Sequence, residues 1–227
     1  MHLIGNDTTA VTEAARIAGE MAVALLDAAR PGARAAAPYQ AAMTAAHLRE
    51  ARAEVRVERY QSAGGAVLLA QLVCWYGGHE VRRALTVPVG SPTPGLESAL
   101  QAAEERYLAG LRALSPGATL GQVRAAMGPS ADVTARVSLL NHRMSGDVRV
   151  VPGMTVALEV ACDLDGNPAL RGGTALTTAH GPIDLNRQHH PIDLDRQHGT
   201  IDLNHQHGPI DLNHQHGPID LDRQDSR

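Results

Sequence analysis

The side chains able to do chemistry in this sequence are few and scattered. Cys74 and Cys162 each stand inside an apolar run. A thiol acts as a nucleophile only with a base in reach, and His79, the nearest histidine to Cys74, lies beyond Gly77-Gly78, at a different position on the next strand. Both cysteines therefore read as buried free thiols, behaving as small hydrophobes rather than as a disulfide or a catalytic pair. Glu80 with Arg82-Arg83 offers two guanidinium groups beside a carboxylate, and guanidinium forks bind carboxylate ligands bidentately; the competing reading is a solvated strand edge. Before residue 180 the histidines are His2, His47, His79 and His142. No HExxH, GxSxG, Walker loop, GxGxxG or paired CxxC occurs, so none of those catalytic frameworks organises these residues.

The chain has 227 residues and a formal charge of −4, a length that suits one large domain. Eight of its 24 acids, four of its 20 basic residues and eight of its 12 histidines lie beyond Ala179. There a nonapeptide runs five times from His180 to Gln224: HGPIDLNRQ, HHPIDLDRQ, HGTIDLNHQ, HGPIDLNHQ and HGPIDLDRQ. One Ile and one Leu per unit do not offset backbone ordering at ~1–2 kcal/mol per residue, so the repeats predict a disordered tail. Its histidines suit adventitious nickel or zinc but fit no closed four-ligand site. The preceding body balances 16 acids against 16 arginines and has no basic surplus for phosphates, which excludes a dedicated nucleic-acid role. Its longest apolar stretch, broken by Gln71, is far shorter than the ~20 residues of a membrane span. With no signal-peptide pattern at Met1–Asn6, the expectation is a cytoplasmic chain.

The elements that must position these residues alternate between helices and strands. Apolar spacing predicts a helix over Thr9–Ala29 that stops at Pro31-Gly32, and a second, Ala-rich helix over Ala36–Arg52. Three strands follow, Ala53–Tyr60, Gly65–Tyr76 and Glu80–Val89, with turns at Gly64-Gly65 and Gly77-Gly78. Further helices are expected over Leu96–Leu114 and Leu120–Met127, then strands over Val150–Cys162 and Ala175–Thr178 around the turn Asp165–Pro168. The order repeats itself: LLDAARPGA at Leu25–Ala33 matches GLRALSPGA at Gly110–Ala118, and AAM recurs at Ala41–Met43 and Ala125–Met127. Helix, Pro-Gly break, helix and strands twice over predict an α+β domain of two pseudo-symmetric halves.

The halves, the stretch Gly78–Gly90 with Pro92-Thr93-Pro94, the segment Ala109–Val123, the phrase Pro152–Glu159 and the ending Thr174–Pro182 together resemble the pita-bread superfamily of creatinase, prolidase, Xaa-Pro aminopeptidase and methionine aminopeptidase. The resemblance covers roughly Thr9–Leu185. It implies a creatinase/aminopeptidase-like domain over residues 1–185 and a low-complexity tail over 186–227, the later repeats being tandem copies of a terminus at Leu185. It also suggests an N-terminally truncated relative, since creatinase and Xaa-Pro aminopeptidase relatives carry a preceding domain.

The family's hydrolases hold two divalent metals with two aspartates on paired strands, a histidine in a Gly-His-Gly loop and two glutamates on closing strands, a set suited to a bridging hydroxide. Carried over by the resemblance, the aspartate positions fall on Gln71, a poor ligand, and Arg82, a permanent cation. The second glutamate falls on Gly172, no Gly-His-Gly occurs, and Glu159 alone matches. Catalytic metals usually take three protein ligands, so no metal and no cofactor is expected. The resemblance therefore implies a degenerate aminopeptidase-like domain, with Gln71 and Arg82 left to bind a small-molecule or peptide ligand, and a homodimer as a partner state. The alternative is an active C–N hydrolase of the Xaa-Pro aminopeptidase or creatinase type, with Glu159 and His142 as its acid/base groups.

Overall fold

The computed structural model describes residues 8–62, 65–140 and 148–187. Apart from Asn186 and Arg187, the expected tail with its histidines lies outside the described residues, as does His142. The first helix, α1 (Thr8–Ala28), buries Ala14, Ile17, Ala18, Met21, Ala22 and Leu25, the stripe that its apolar spacing predicts. A second helix, α2 (Ala37–His47), ends five residues sooner than expected, because Glu50 takes φ 55° and turns the chain into β1 (Arg52–Ser62). Strands β2 (Gly65–Tyr76) and β3 (His79–Val89) form a hairpin in which Tyr76 pairs with His79. Both loop residues, Gly77 and Gly78, have positive φ, as the favoured two-residue hairpin turn requires.

The second half repeats the plan. Thr93 caps α3 (Pro94–Ala113) by accepting the Leu96 N–H at 3.3 Å. A reciprocal capping box of Thr119 and Gln122 opens α4 (Leu120–Ala126), satisfying two otherwise unpaired groups. The echoed Pro-Gly breaks adopt one conformation, with Gly32 at φ 80° and Gly117 at φ 90°. Then come β4 (Val133–Leu139), β5 (Thr155–Leu164) and β6 (Asn167–Thr178). The β5–β6 turn is Asp165-Gly166, with Pro168 already inside β6, so this strand begins eight residues before the expected Ala175. No strand was expected at β4, although Val133, Ala135 and Val137 alternate with Thr134 and Arg136. A short β7 (Gly181–Asp184) pairs with the end of β6.

The sheet runs β1-β2-β3-β6-β5-β4, so β1, β2 and β3 mirror β4, β5 and β6. Each half has its own core. Ile17, Met21 and Leu25 pack on Leu68, Leu72 and Cys74 in the first, and Tyr107, Leu114 and Met127 pack on Val156, Leu158 and Val160 in the second. Both helix pairs thus cover one sheet face, and the alternate residues of every strand line the opposite face. None of the described helices is long and apolar enough to cross a membrane.

Between the cores sits a polar junction. Glu104 of α3 accepts from Arg171 Nε of β6 and from Arg187 Nη2 at 3.1 Å. The Arg171 guanidinium lies 4.6 Å above the Tyr107 ring, and Tyr107 Oη accepts from Asn186 Nδ2 at 3.2 Å. Removing Glu104 would leave a mostly buried Arg171 uncompensated, which costs several kcal/mol. Glu104→Ala is expected to lower unfolding stability by about 3 kcal/mol in urea denaturation, against about 0.5 kcal/mol or less for the exposed neighbour Glu105→Ala.

Candidate functional site

Strand register builds a single row across the open face of the sheet. Arg56 of β1 pairs with Gln71 of β2, Gln71 with Ala84 of β3, Ala84 with Gly172 of β6, Gly172 with Glu159 of β5, and Glu159 with Arg136 of β4. Directly opposed residues point to the same face, so one row collects a charged or polar side chain from four of the six strands. Its middle members, Ala84 and Gly172, are too small to fill the space above them. The result is a cleft of about 690 Å³ lined by Gln71, Arg82, Arg136, Glu159 and Arg124 of α4, among others. Three positions singled out from the sequence, Gln71, Arg82 and Glu159, meet in this cleft, and Gly172 is the strand partner of Glu159.

The Glu159 carboxylate is held from both sides. Gln71 Nε2 donates to Oε2 at 2.8 Å, and Arg136 Nη1 approaches Oε1 at 3.4 Å. Glu80 is held as well, accepting from Arg82 Nε at 2.6 Å and from Trp75 Nε1 at 3.2 Å. The Arg82 backbone N–H donates to Thr174 Oγ1 at 2.8 Å, tying β3 to β6 at the cleft floor. Arg124 has no ion-pair partner among the described residues. Among the described residues, no group of three or more His, Cys, Asp and Glu side chains is placed to hold a metal ion. The other pair weighed from the sequence is not brought together: Cys74 pairs with Val81 and is buried among helix-facing residues. Arg83 likewise turns away from the cleft and is only 5% exposed.

Sequence reasoning missed Arg136 and Arg124. Arg136 was hidden because β4 was not read as a strand, although the alternation in Val133-Thr134-Ala135-Arg136-Val137 was a usable signal. Arg124 reaches the cleft from a helix, and no local pattern announces that.

With this geometry in hand, comparison with solved structures defines the fold. The chain superposes on prolidase from Pyrococcus horikoshii with a TM-score of 0.71 and 13% identity, over 78% of this chain and 61% of that one. For Xaa-Pro dipeptidase from Bacillus anthracis the TM-score is 0.69 at 19% identity, over 82% and 62%. For Escherichia coli aminopeptidase P it is 0.66 at 15%, over 78% and 54%. The chain therefore has the pita-bread fold of these aminopeptidase-like proteins, and it spans about three fifths or less of the length of the structures quoted. No protein-family model matches the sequence, and no curated protein matches it.

The floor of the cleft leaves little room for a side chain at Gly172. A Cβ there would lie 2.8 Å from the Leu158 carbonyl oxygen and 3.0 Å from Ala84 Cβ, and forced overpacking typically costs ~1–3 kcal/mol. Gly172→Glu should lower stability by about 2 kcal/mol in urea denaturation, whereas a wild-type midpoint would mean the strands yield at no cost. The thiols admit a separate check. Burial pushes Cys74 up to about 12 and raises Cys162 as well, and reaction requires the thiolate. Native protein at pH 8 should resist a thiol-specific disulfide reagent, and both cysteines should react once the chain is unfolded.

Proposed function

We propose that this domain is a degenerate aminopeptidase-like fold that holds no dinuclear metal centre and uses its cleft to bind a small molecule or peptide. The observation that carries the reading is the Gln71–Glu159 hydrogen bond. At this site the amide N–H, a donor, engages the one carboxylate in the row, and Arg136 engages its other oxygen. A cation needs those lone pairs, and Arg82 adds a permanent positive charge nearby. The residues present therefore do not fit a pair of divalent ions.

The same chemistry says what the cleft would accept. Its arginines suit a ligand carboxylate, and Arg124, which faces the cleft, has no competing ion pair among the described residues, so a peptide C-terminus or small carboxylic acid is the favoured class.

Two measurements test this reading. In calorimetric titration with Mn²⁺ or Co²⁺, the full chain and Glu159→Gln should give superimposable isotherms, any heat belonging to groups outside the cleft; a component lost in the variant would overturn it. Xaa-Pro dipeptides should bind without being hydrolysed, and Arg124→Ala should weaken that binding by about tenfold, the worth of one charge-assisted hydrogen bond. Turnover abolished by Glu159→Gln would instead establish a C–N hydrolase.

A further inference from the structure

The strand that finishes the sheet belongs to the first of five copies of one phrase, and its slot can be compared with the other four. Gly181 adopts φ +123°, a conformation that L side chains rarely take. Ile183 packs on the first core, and Leu185 is 1% exposed within it. The Leu185 N–H donates to the Thr174 carbonyl at 3.0 Å, continuing the strand contact beyond β7. Asp184 Oδ1 accepts from the N–H and the Nδ2 of Asn186, both at 3.0 Å. Asn186 itself fills a notch in β6, where a Cβ on Gly173 would lie 1.4 Å from Nδ2. The slot thus asks for glycine, then Ile-Asp-Leu-Asn. The next residue, Arg187, is exposed and its pair with Glu104 at 3.1 Å is a surface contact worth little, so the histidine that follows the asparagine in the Gly199 and Gly208 copies is a small loss.

The downstream copies meet that demand unequally. Gly208-Pro209-Ile210-Asp211-Leu212-Asn213 repeats the six residues Gly181–Asn186 without change, and Gly199–Asn204 differs only by Thr200 for proline. The copy at His190 puts histidine at the positive-φ position and Asp195 in place of the asparagine; the copy at Gly217 carries Asp222 there. An aspartate has no N–H to give Tyr107 or Asp184, and would set a second carboxylate beside the first.

We infer that the copies at Gly208 and Gly199 are interchangeable anchors, able to take the slot of β7 within the same chain. The cost of exchange is a longer loop. The connection from β6 is now Ala179-His180, and using the Gly199 or Gly208 copy lengthens it by 18 or 27 residues. Closure entropy grows only logarithmically, so the first copy is favoured by a few tens-fold. Disabling the buried leucine of the first copy removes on the order of a thousandfold, more than the loop surcharge, and the equilibrium then passes to a later copy. The inference is independent of the cleft and of what binds there.

The test uses full-length chains read by thermal unfolding and size-exclusion chromatography. Leu185→Asp is made in two backgrounds, with the wild-type tail and with Leu203→Asp and Leu212→Asp together. With the intact tail the midpoint should fall by about 5 °C; with the later leucines also changed it should fall at least twice as far. The tail pair alone, with Leu185 intact, should leave the midpoint unchanged. The milder Leu185→Ala, compared in the same backgrounds, gives the same ordering if the aspartate leaves no folded protein. Equal midpoints in the two backgrounds would overturn the exchange. Rescue accompanied by a shift to dimer elution would overturn its intrachain form and place the anchor on a second copy of the chain.

Discussion

The constraint on which this structure depends is the narrow join between its halves. β3 and β6 pair through only Arg83–Gly173 and Ala84–Gly172, whereas each half is internally knit by ladders of seven to eleven pairs. Both β6 residues of the join are glycines, each serving a different face. On the open face Gly172 lets the Leu158 carbonyl and Ala84 approach within a distance that a Cβ would violate; on the helix face Gly173 leaves the notch that Asn186 occupies. Cleft floor and C-terminal anchor thus rest on two consecutive residues chosen for having no side chain.

That join also explains the charges around it. Arg83 projects from the pairing site toward the helices and is nearly buried, with no hydrogen-bond partner for its Nε among the described residues. Burial, with the neighbouring Arg171 cation, lowers its ionisation to about 10, and Asp184 acts in the opposite direction. Asp184 Oδ2 is buried with no hydrogen-bond partner among the described residues and lies 3.8 Å from Arg187 Nε, so a carboxylate from the terminal strand also compensates an arginine of the first half. Glu104 does the same for Arg171, and the terminal segment that supplies Asp184 and Asn186 also supplies Arg187. The terminal phrase is therefore part of the electrostatic closure between the halves.

Much of the architecture was legible because it is local. The Gly77-Gly78 turn, the Pro-Gly breaks and the apolar stripe of α1 act within a few residues, and each reappears where expected. The internal echo pointed to two matching halves, and the sheet order bears it out. Misreadings occurred where a boundary depends on neighbours. The early end of α2 is set by a positive φ at Glu50 rather than by composition, and β6 reaches back to Asn167 because β5 offers a partner all the way to Leu164.

By itself the sequence determined most of the elements, β4 excepted, the twofold plan and three of the residues that meet in the cleft, because periodicity, turn chemistry and motif order are written along the chain. Tertiary structure alone decided what those residues do to one another. That Gln71 donates to Glu159 across 88 positions and that Arg136 and Arg124 share their cleft follow from how β4, β5 and α4 are brought against the first half through the pairing of β3 with β6. That pairing puts Gly172 and Gly173 where a side chain would clash with the opposing backbone or with Asn186, a non-local fit that no window of sequence contains.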